Sequence, residues 1–161
     1  MDKTTSINIS TKKESNEASS KLWNNKPVGS KRSSAPAGSP RYFQEIENYR
    51  YNYETPFIPK FFEFHKLNEK KVLEIGVGHG IDAKNMIING AQYTGIDITK
   101  KHINLASKNV SLLKNLSEIN SPKFVLGDLL NEDFNEKEFD YIYSFGVLHH
   151  IFHEEEYFKK I

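Results

Sequence analysis

The 161-residue chain contains no cysteine. That excludes a disulfide framework and any thiolate metal site. It has one tryptophan and two methionines, and no apolar run approaches the ~18 residues that cross a bilayer. The N-terminus lacks the apolar core of a secretory leader. These absences lead to the expectation of a soluble, cytoplasmic protein with no membrane partner. An excess of one charge is also missing. The 22 basic and 21 acidic residues leave a net charge of +1. The little imbalance there is falls at one end: residues 1–40 carry 7 basic and 3 acidic residues. The remainder is slightly acidic and offers no phosphate-binding face, so no nucleic-acid partner is expected.

Length gives one domain. Residues 1–40 are rich in Ser, Thr, Asn and Lys and poor in apolar side chains. Such a segment buries too little to offset its ordering entropy, so it is expected to be a mostly disordered tail. The domain is expected over residues 41–161. Its first part is dense in aromatics, among them Tyr42, Phe43, Tyr49 and Phe62. Phe57, Phe61 and Phe64 recur at helical spacing, with Pro56 and Pro59 suited to a helix start. They are expected to pack a helix on a sheet, with an acceptor pocket as the other use of the aromatics.

Strand and helix then alternate. Strands are expected at Val72–Ile75, Ala91–Ile98, Phe124–Leu126 and Tyr141–Ser144. Helices are expected at Ile81–Asn89, stopped by Gly90, and from Lys100 to about Leu116. Alternation of this kind implies an α/β fold with a right-handed parallel sheet. Residues 71–82 carry the sharpest signal: a buried strand, then glycines at 76, 78 and 80, then a helix. This is how open α/β sheets build a nucleotide-type site. A dinucleotide fingerprint wants its third glycine at Ile81. Glu74, just before the turn, would repel a pyrophosphate and welcome a cation. The pattern therefore points away from NAD and toward a positively charged nucleoside. Asp97, ending the second strand, can accept hydrogen bonds from ribose hydroxyls in either kind of site.

Four segments together resemble the class I S-adenosylmethionine-dependent methyltransferases, most closely the type-11 methyltransferase domain. They are the 71–82 stretch, Tyr93–Ile98, Phe124–Leu129 and Phe139–His150, in the order that family uses. The resemblance covers roughly residues 41–161. It implies a Rossmann-like, doubly wound parallel sheet, here partial, with strand order 3-2-1-4. It implies S-adenosylmethionine as cofactor and methyl transfer to a small-molecule acceptor. Glu74, Gly76, Gly78 and Gly80 would border the methionine end. Asp97 and Ile98 would hold the ribose, Asp128 and Leu129 the adenine, and the Ser144-Phe145-Gly146 turn the methionine. Arg50 would bind the methionine carboxylate or stand as a surface arginine. His149 or His150 would take a proton from the acceptor, as an imidazole can near neutral pH, or serve the loop structurally. Trp23 is either a lone aromatic in the tail or part of an upstream pattern that some of these enzymes carry. His150 and His153 lie at i,i+3 without a carboxylate at ligand spacing, so no metal site is assigned. The family fold continues with three further strands after the fourth. The chain is therefore expected to be a truncated product, with Tyr141, Ile142 and Tyr143 along an open edge. A cofactor-binding fragment without activity is the first alternative function, and an NAD-linked oxidoreductase the second.

Overall fold

A computed structural model describes residues 18–25, 29–113, 121–135, 137–151 and 154–161. Four parallel strands form one sheet in the order β3-β2-β1-β4. They are β1 (Lys71–Ile75), β2 (Gln92–Asp97), β3 (Lys123–Leu126) and β4 (Tyr141–Ser144). The register pairs Ile75 with Ile96 and with Ser144, and Asp97 with Leu126. The C-terminal ends of all four strands therefore lie together. β1 is central and buried over Val72–Ile75, as a strand covered on both faces must be.

The helices follow chain order. Residues 18–25 are helical (α1). Next come α2 (Pro40–Tyr49), α3 (Ile58–Phe61), α4 (Ile81–Ile88), α5 (Lys100–Ser111) and α6 (Glu154–Lys160). α2 starts on a Ser39 cap whose hydroxyl accepts from Tyr42 N–H, with Pro40 in the first turn, where its missing N–H costs nothing. It buries Tyr42, Phe43 and Ile46 against Ile81 and Leu105. α4 packs on α5 so closely that a Cβ at Gly80 would stand 2.7 Å from Ala106 Cα. Gly80 also has φ 68°, so glycine alone meets both demands there.

Strand order, parallel pairing and element sequence follow the expectation, with ends shifted by a residue or two. Gly90 (φ 87°) ends the segment after α4 as expected. α5 runs to Ser111; residues 114–120, where the expected helix would end, lie outside the described residues. Three points differ. Phe57, Phe61 and Phe64 do not share one helix. Glu63 turns left-handed at φ 50° and ends α3 early, leaving Phe57 and Phe61 52% and 72% exposed while Phe64 is buried. Ile58 and Phe64 still pack in the core with Val72, Tyr93 and Tyr143 of the sheet, while α2 lies against α4 and α5. Along the β4 edge Tyr141 and Ile142 are exposed, but Tyr143 is buried, because Phe62 and Phe64 pack on its ring and its hydroxyl reaches Asp82. Finally, part of the expected tail is structured. α1 hydrogen-bonds across to the main sheet region, with Ser20 Oγ donating to Ile98 O (3.1 Å) and Asn24 Oδ1 accepting from Lys101 N–H (3.2 Å). Gly38 is buried ahead of α2. Residues 1–17, the rest of that tail, lie outside the described residues.

Candidate functional site

A cavity of about 420 Å³ opens at the C-terminal ends of the strands. Open α/β sheets hold ligands there, where the strand order reverses on either side of β1. The structure brings the sequence-predicted residues together at this cavity: Arg50, Glu74, Gly76, Gly78, Asp97, Ile98, Asp128, Leu129, Phe145, His149 and His150 all line it. Gly80 and Ser144 stand just behind. Gly80 caps α4, and Ser144 Oγ donates to Ile75 O (3.1 Å), locking β4 to β1.

The floor is acidic. Glu74, 3% exposed, accepts from Tyr93 OH at 2.5 Å. Burial, and then the charge of Asp82, push its carboxyl well above the ordinary carboxylate range; the Tyr93 bond and Arg50 offset this only in part. Asp97 ends β2 with Oδ1 accepting from Thr99 N–H (2.8 Å). Its Oδ2 accepts from Gly78 N–H (3.2 Å) and stands 3.1 Å from His102 Nδ1. Asp128, at the end of β3, accepts from Leu130 N–H (3.1 Å) and Tyr157 OH (2.5 Å) through Oδ1. Tyr157 lies on α6 and packs with Leu129 in the core beneath.

Asp82, which the sequence patterns passed over, accepts hydrogen bonds from three side chains. Arg50 donates to it through Nε (3.0 Å) and Nη2. Tyr51 OH (2.7 Å) and Tyr143 OH (2.8 Å) donate as well. Burial alone would loosen the Arg50 proton, but the bond to Asp82 and its charge outweigh it and hold the guanidinium above its usual value. Arg50 is thus committed to Asp82 on two of its nitrogens. Nη1, 3.8 Å from the half-exposed Glu54, is the nitrogen left to meet another anion. The sequence signal for this pair was an acid in the first turn of α4 and an arginine inside the aromatic segment, where α2 ends.

His79, inside the glycine turn, was also passed over. It is buried, and its Nε2 lies 3.0 Å from Tyr42 OH. Burial, then the neighbouring charges of His102 and Arg50, lower its pKa to about 4. Asn109 Nδ2 donates to the carbonyls of His79 and Gly80 (both 3.1 Å), fixing the turn to α5. At the rim, Trp23 faces His150 at 5.8 Å between ring centroids, and His149 lies 3.9 Å from His150. Phe145 packs beside Phe57 and under Arg50, whose Cζ is 5.4 Å from the ring centre. His153 lies outside the described residues. Among the described residues, no helix is long and apolar enough to cross a membrane.

The wall suits a nucleoside with a cationic end. Nothing lies within 4 Å of where a Cβ at Gly78 would stand, so the turn leaves its backbone open to a close ligand. One acid lies within β1 (Glu74), one ends β2 (Asp97) and one follows β3 (Asp128), as ammonium, hydroxyl and amine donors require. Arg50, which lines the cavity together with Arg32, is already paired to Asp82, so a cation is the ligand charge that Glu74 favours.

Comparison with known proteins agrees with this geometry. The profile of the family described as "Methyltransferase domain" matches residues 72–161. A ubiquinone biosynthesis O-methyltransferase of Chromobacterium violaceum is 54% identical over 37 residues, covering 23% of this chain and 16% of that protein. A histidine protein methyltransferase 1 homolog of Dictyostelium discoideum is 35% identical over 88 residues, covering 53% of this chain and 28% of that protein. Among solved structures, the magnesium protoporphyrin IX methyltransferase of Synechocystis PCC 6803, determined with bound SAM, superposes with a TM-score of 0.61 at 18% identity. That match covers 88% of this chain and 66% of the other. The chain thus spans under a third of these two curated relatives. The family profile begins at Val72 in β1 and runs through every strand and cavity-lining turn that follows, more than half of the sequence, and the chain belongs to the methyltransferase domain family.

Proposed function

We propose that this chain binds S-adenosylmethionine in the strand-end cavity and serves methyl transfer to a small-molecule acceptor. The observation that carries this reading is the set of acids ranged along one cavity: Glu74 within β1, Asp97 ending β2 and Asp128 following β3. When bound, S-adenosylmethionine supplies a methyl group already activated by its sulfonium charge.

The chain's residues then have separable tasks. Glu74 holds the cationic amino end. Gly76 and Gly78 let backbone amides approach. Arg50 Nη1 meets the methionine carboxylate, while its other nitrogens keep Asp82 neutralised. Asp97 accepts from the sugar, and Ile98 and Leu129 flank the base. Asp128 receives the base amino group, and the turn at Ser144, Phe145 and Gly146 supports the methionine. Holding an acceptor in line with the methyl is the main catalytic demand, and orientation of this kind is worth up to ~7–11 kcal/mol.

The aromatic rim of Trp23, Tyr49, Phe145, His149 and His150 favours a small, flat acceptor. Two of the relatives carry ubiquinone and protoporphyrin in their names, which fits a small molecule; the third names a protein. His149 and His150, both exposed, are the groups placed to take the acceptor's proton. The test is direct: titrate S-adenosylhomocysteine and NADH separately into the protein, then assay radiolabelled methyl transfer to small phenols. Binding of the first ligand and not the second supports the cofactor. NADH binding in its place would reverse the assignment to a dinucleotide enzyme.

A further inference from the structure

Two arginines line the cavity, and only one of them has an acid to pair with. Arg50 is bonded to Asp82, and its remaining nitrogen faces Glu54. Arg32 forms no ion pair with any acid among the described residues. It is exposed, and its guanidinium lies over the Tyr49 ring with Cζ 4.3 Å from the ring centre. That is well inside the ~6 Å reach of a cation–π contact. The backbone that carries it is fixed. Ser30–Arg32 form a single tight helical turn, closed by Arg32 N–H donating to Gly29 O (2.9 Å). Beside it, Ser33 Oγ donates to Glu45 Oε2 on α2 (2.7 Å). Holding an arginine side chain in one place costs rotamer entropy, and here the Tyr49 contact alone offsets it.

A cation–π contact uses the charge of a guanidinium and leaves its fork of N–H donors for a planar anion. A carboxylate fits that fork with two parallel bonds. A phosphate dianion would bring a second negative charge into a cavity that Glu54, Glu74, Asp97 and Asp128 already line, with one unpaired arginine to meet it. The surface around Arg32 is flat and aromatic. Tyr49 lies under it, and Trp23, on the same cavity, faces His150. The profile match that assigns the family starts at Val72. Trp23, Arg32 and Tyr49 all lie before it, so that match does not account for them. They belong to the N-terminal part of the cavity, away from the acids at the strand ends.

We propose that Arg32 determines acceptor specificity: the acceptor is a flat aromatic molecule bearing a carboxylate, which Arg32 grips while Tyr49 steadies the guanidinium and Trp23 meets the ring. This rests on the methyl-transfer reading above and adds to it the charge of the acceptor and the residue that selects it.

Trp23 is the chain's single tryptophan, so its indole N–H gives one NMR resonance that reports on the rim. Benzoate, cinnamate and 3,4-dihydroxybenzoate are titrated beside their primary amides, which keep the shape and lose the charge. The titrations use wild type, Arg32→Gln and Arg32→Lys, each ligand-free and saturated with S-adenosylhomocysteine. Wild type should bind the carboxylates roughly tenfold more tightly than the amides. Arg32→Gln should erase that preference and leave the affinity for S-adenosylhomocysteine unchanged. Arg32→Lys, which keeps the charge without the fork, should recover part of the preference. Equal affinity for acids and amides on wild type, or binding of neither, overturns the proposal. A preference that survives Arg32→Gln overturns it too. A fall in S-adenosylhomocysteine affinity in Arg32→Gln would make Arg32 a cofactor residue instead. If S-adenosylhomocysteine does not bind but the Arg32-dependent preference persists in the ligand-free protein, the cofactor reading fails and the anion subsite stands. A melt checks that the variants are folded. Should they not be, the Nε–H resonance of Arg32 in wild type decides. It should move with the carboxylates and not with the amides, and a resonance unmoved by saturating carboxylate would overturn the proposal.

Discussion

Replacing Arg50 by methionine isolates the cost of the buried charge beneath the cavity. The Arg50 and Asp82 side chains are 19% and 5% exposed. The guanidinium supplies two donors to Asp82, and Tyr51 and Tyr143 supply the others. Methionine fills similar volume but removes both donors and the cation bonded to Asp82. Asp82 would then share a dry region with Glu74 and no positive charge. Removing one partner of a buried pair costs about 3–5 kcal/mol, chiefly because the remaining charge is stranded. With a urea m-value near ~2 kcal/mol/M, the midpoint should fall by about 2 M. Adding Asp82→Asn should restore much of the loss, since no charge is then left behind. The assay is urea unfolding of wild type, both single variants and the double variant, followed by circular dichroism. A single Arg50→Met cost under ~1 kcal/mol, or a double-variant cost equal to the sum of the singles, would show that the pair is not energetically coupled.

Three other outcomes follow from the same geometry. His79 stays neutral in the folded chain down to about pH 4, against 6.5 for a free histidine. Its stabilising contribution is therefore present above about pH 6.5 and is lost as pH falls toward 4, by about 3 kcal/mol; His79→Gln should flatten that acid limb in pH-dependent melting. Glu74 has the opposite sign: its raised pKa means the folded chain loses stability as pH rises through it. Where Glu74 holds its proton, a cation bound beside it expels it, so S-adenosylmethionine titrated in buffers of different ionisation heat and at progressively lower pH should reveal proton release, absent in Glu74→Gln. Along β4, Tyr141 and Ile142 are 46% and 42% exposed on an edge that invites pairing; wild type should self-associate in size-exclusion chromatography, and Ile142→Lys should elute later.

The parts of this molecule visible in its sequence were those with a short-range physical signature. Val72–Ile75 must be buried on both faces, and the run of apolar residues shows it. The Gly76-to-Gly80 spacing marks a turn that only glycines permit, and Asp97 and Asp128 are found by counting from strand ends. Other features depend on long-range packing. The aromatic segment suggested a helix through Phe64, but Glu63 breaks it, and whether Tyr42 or Phe61 is buried depends on where α2 docks. Asp82 reads as an ordinary first-turn acid until Arg50, Tyr51 and Tyr143 are brought to it from distant positions. His102 sits among lysines on a polar helix start, and only the fold turns it under Asp97.

The most direct measurement is isothermal titration of S-adenosylhomocysteine into wild type and Asp97→Ala. Saturable one-site binding to wild type, weakened by roughly 1–3 kcal/mol in the variant as expected when a buried hydrogen-bond partner is lost, is the outcome this structure requires. No binding to wild type, or equal affinity in the two proteins, would contradict the assignment of the strand-end cavity as a nucleoside-cofactor site.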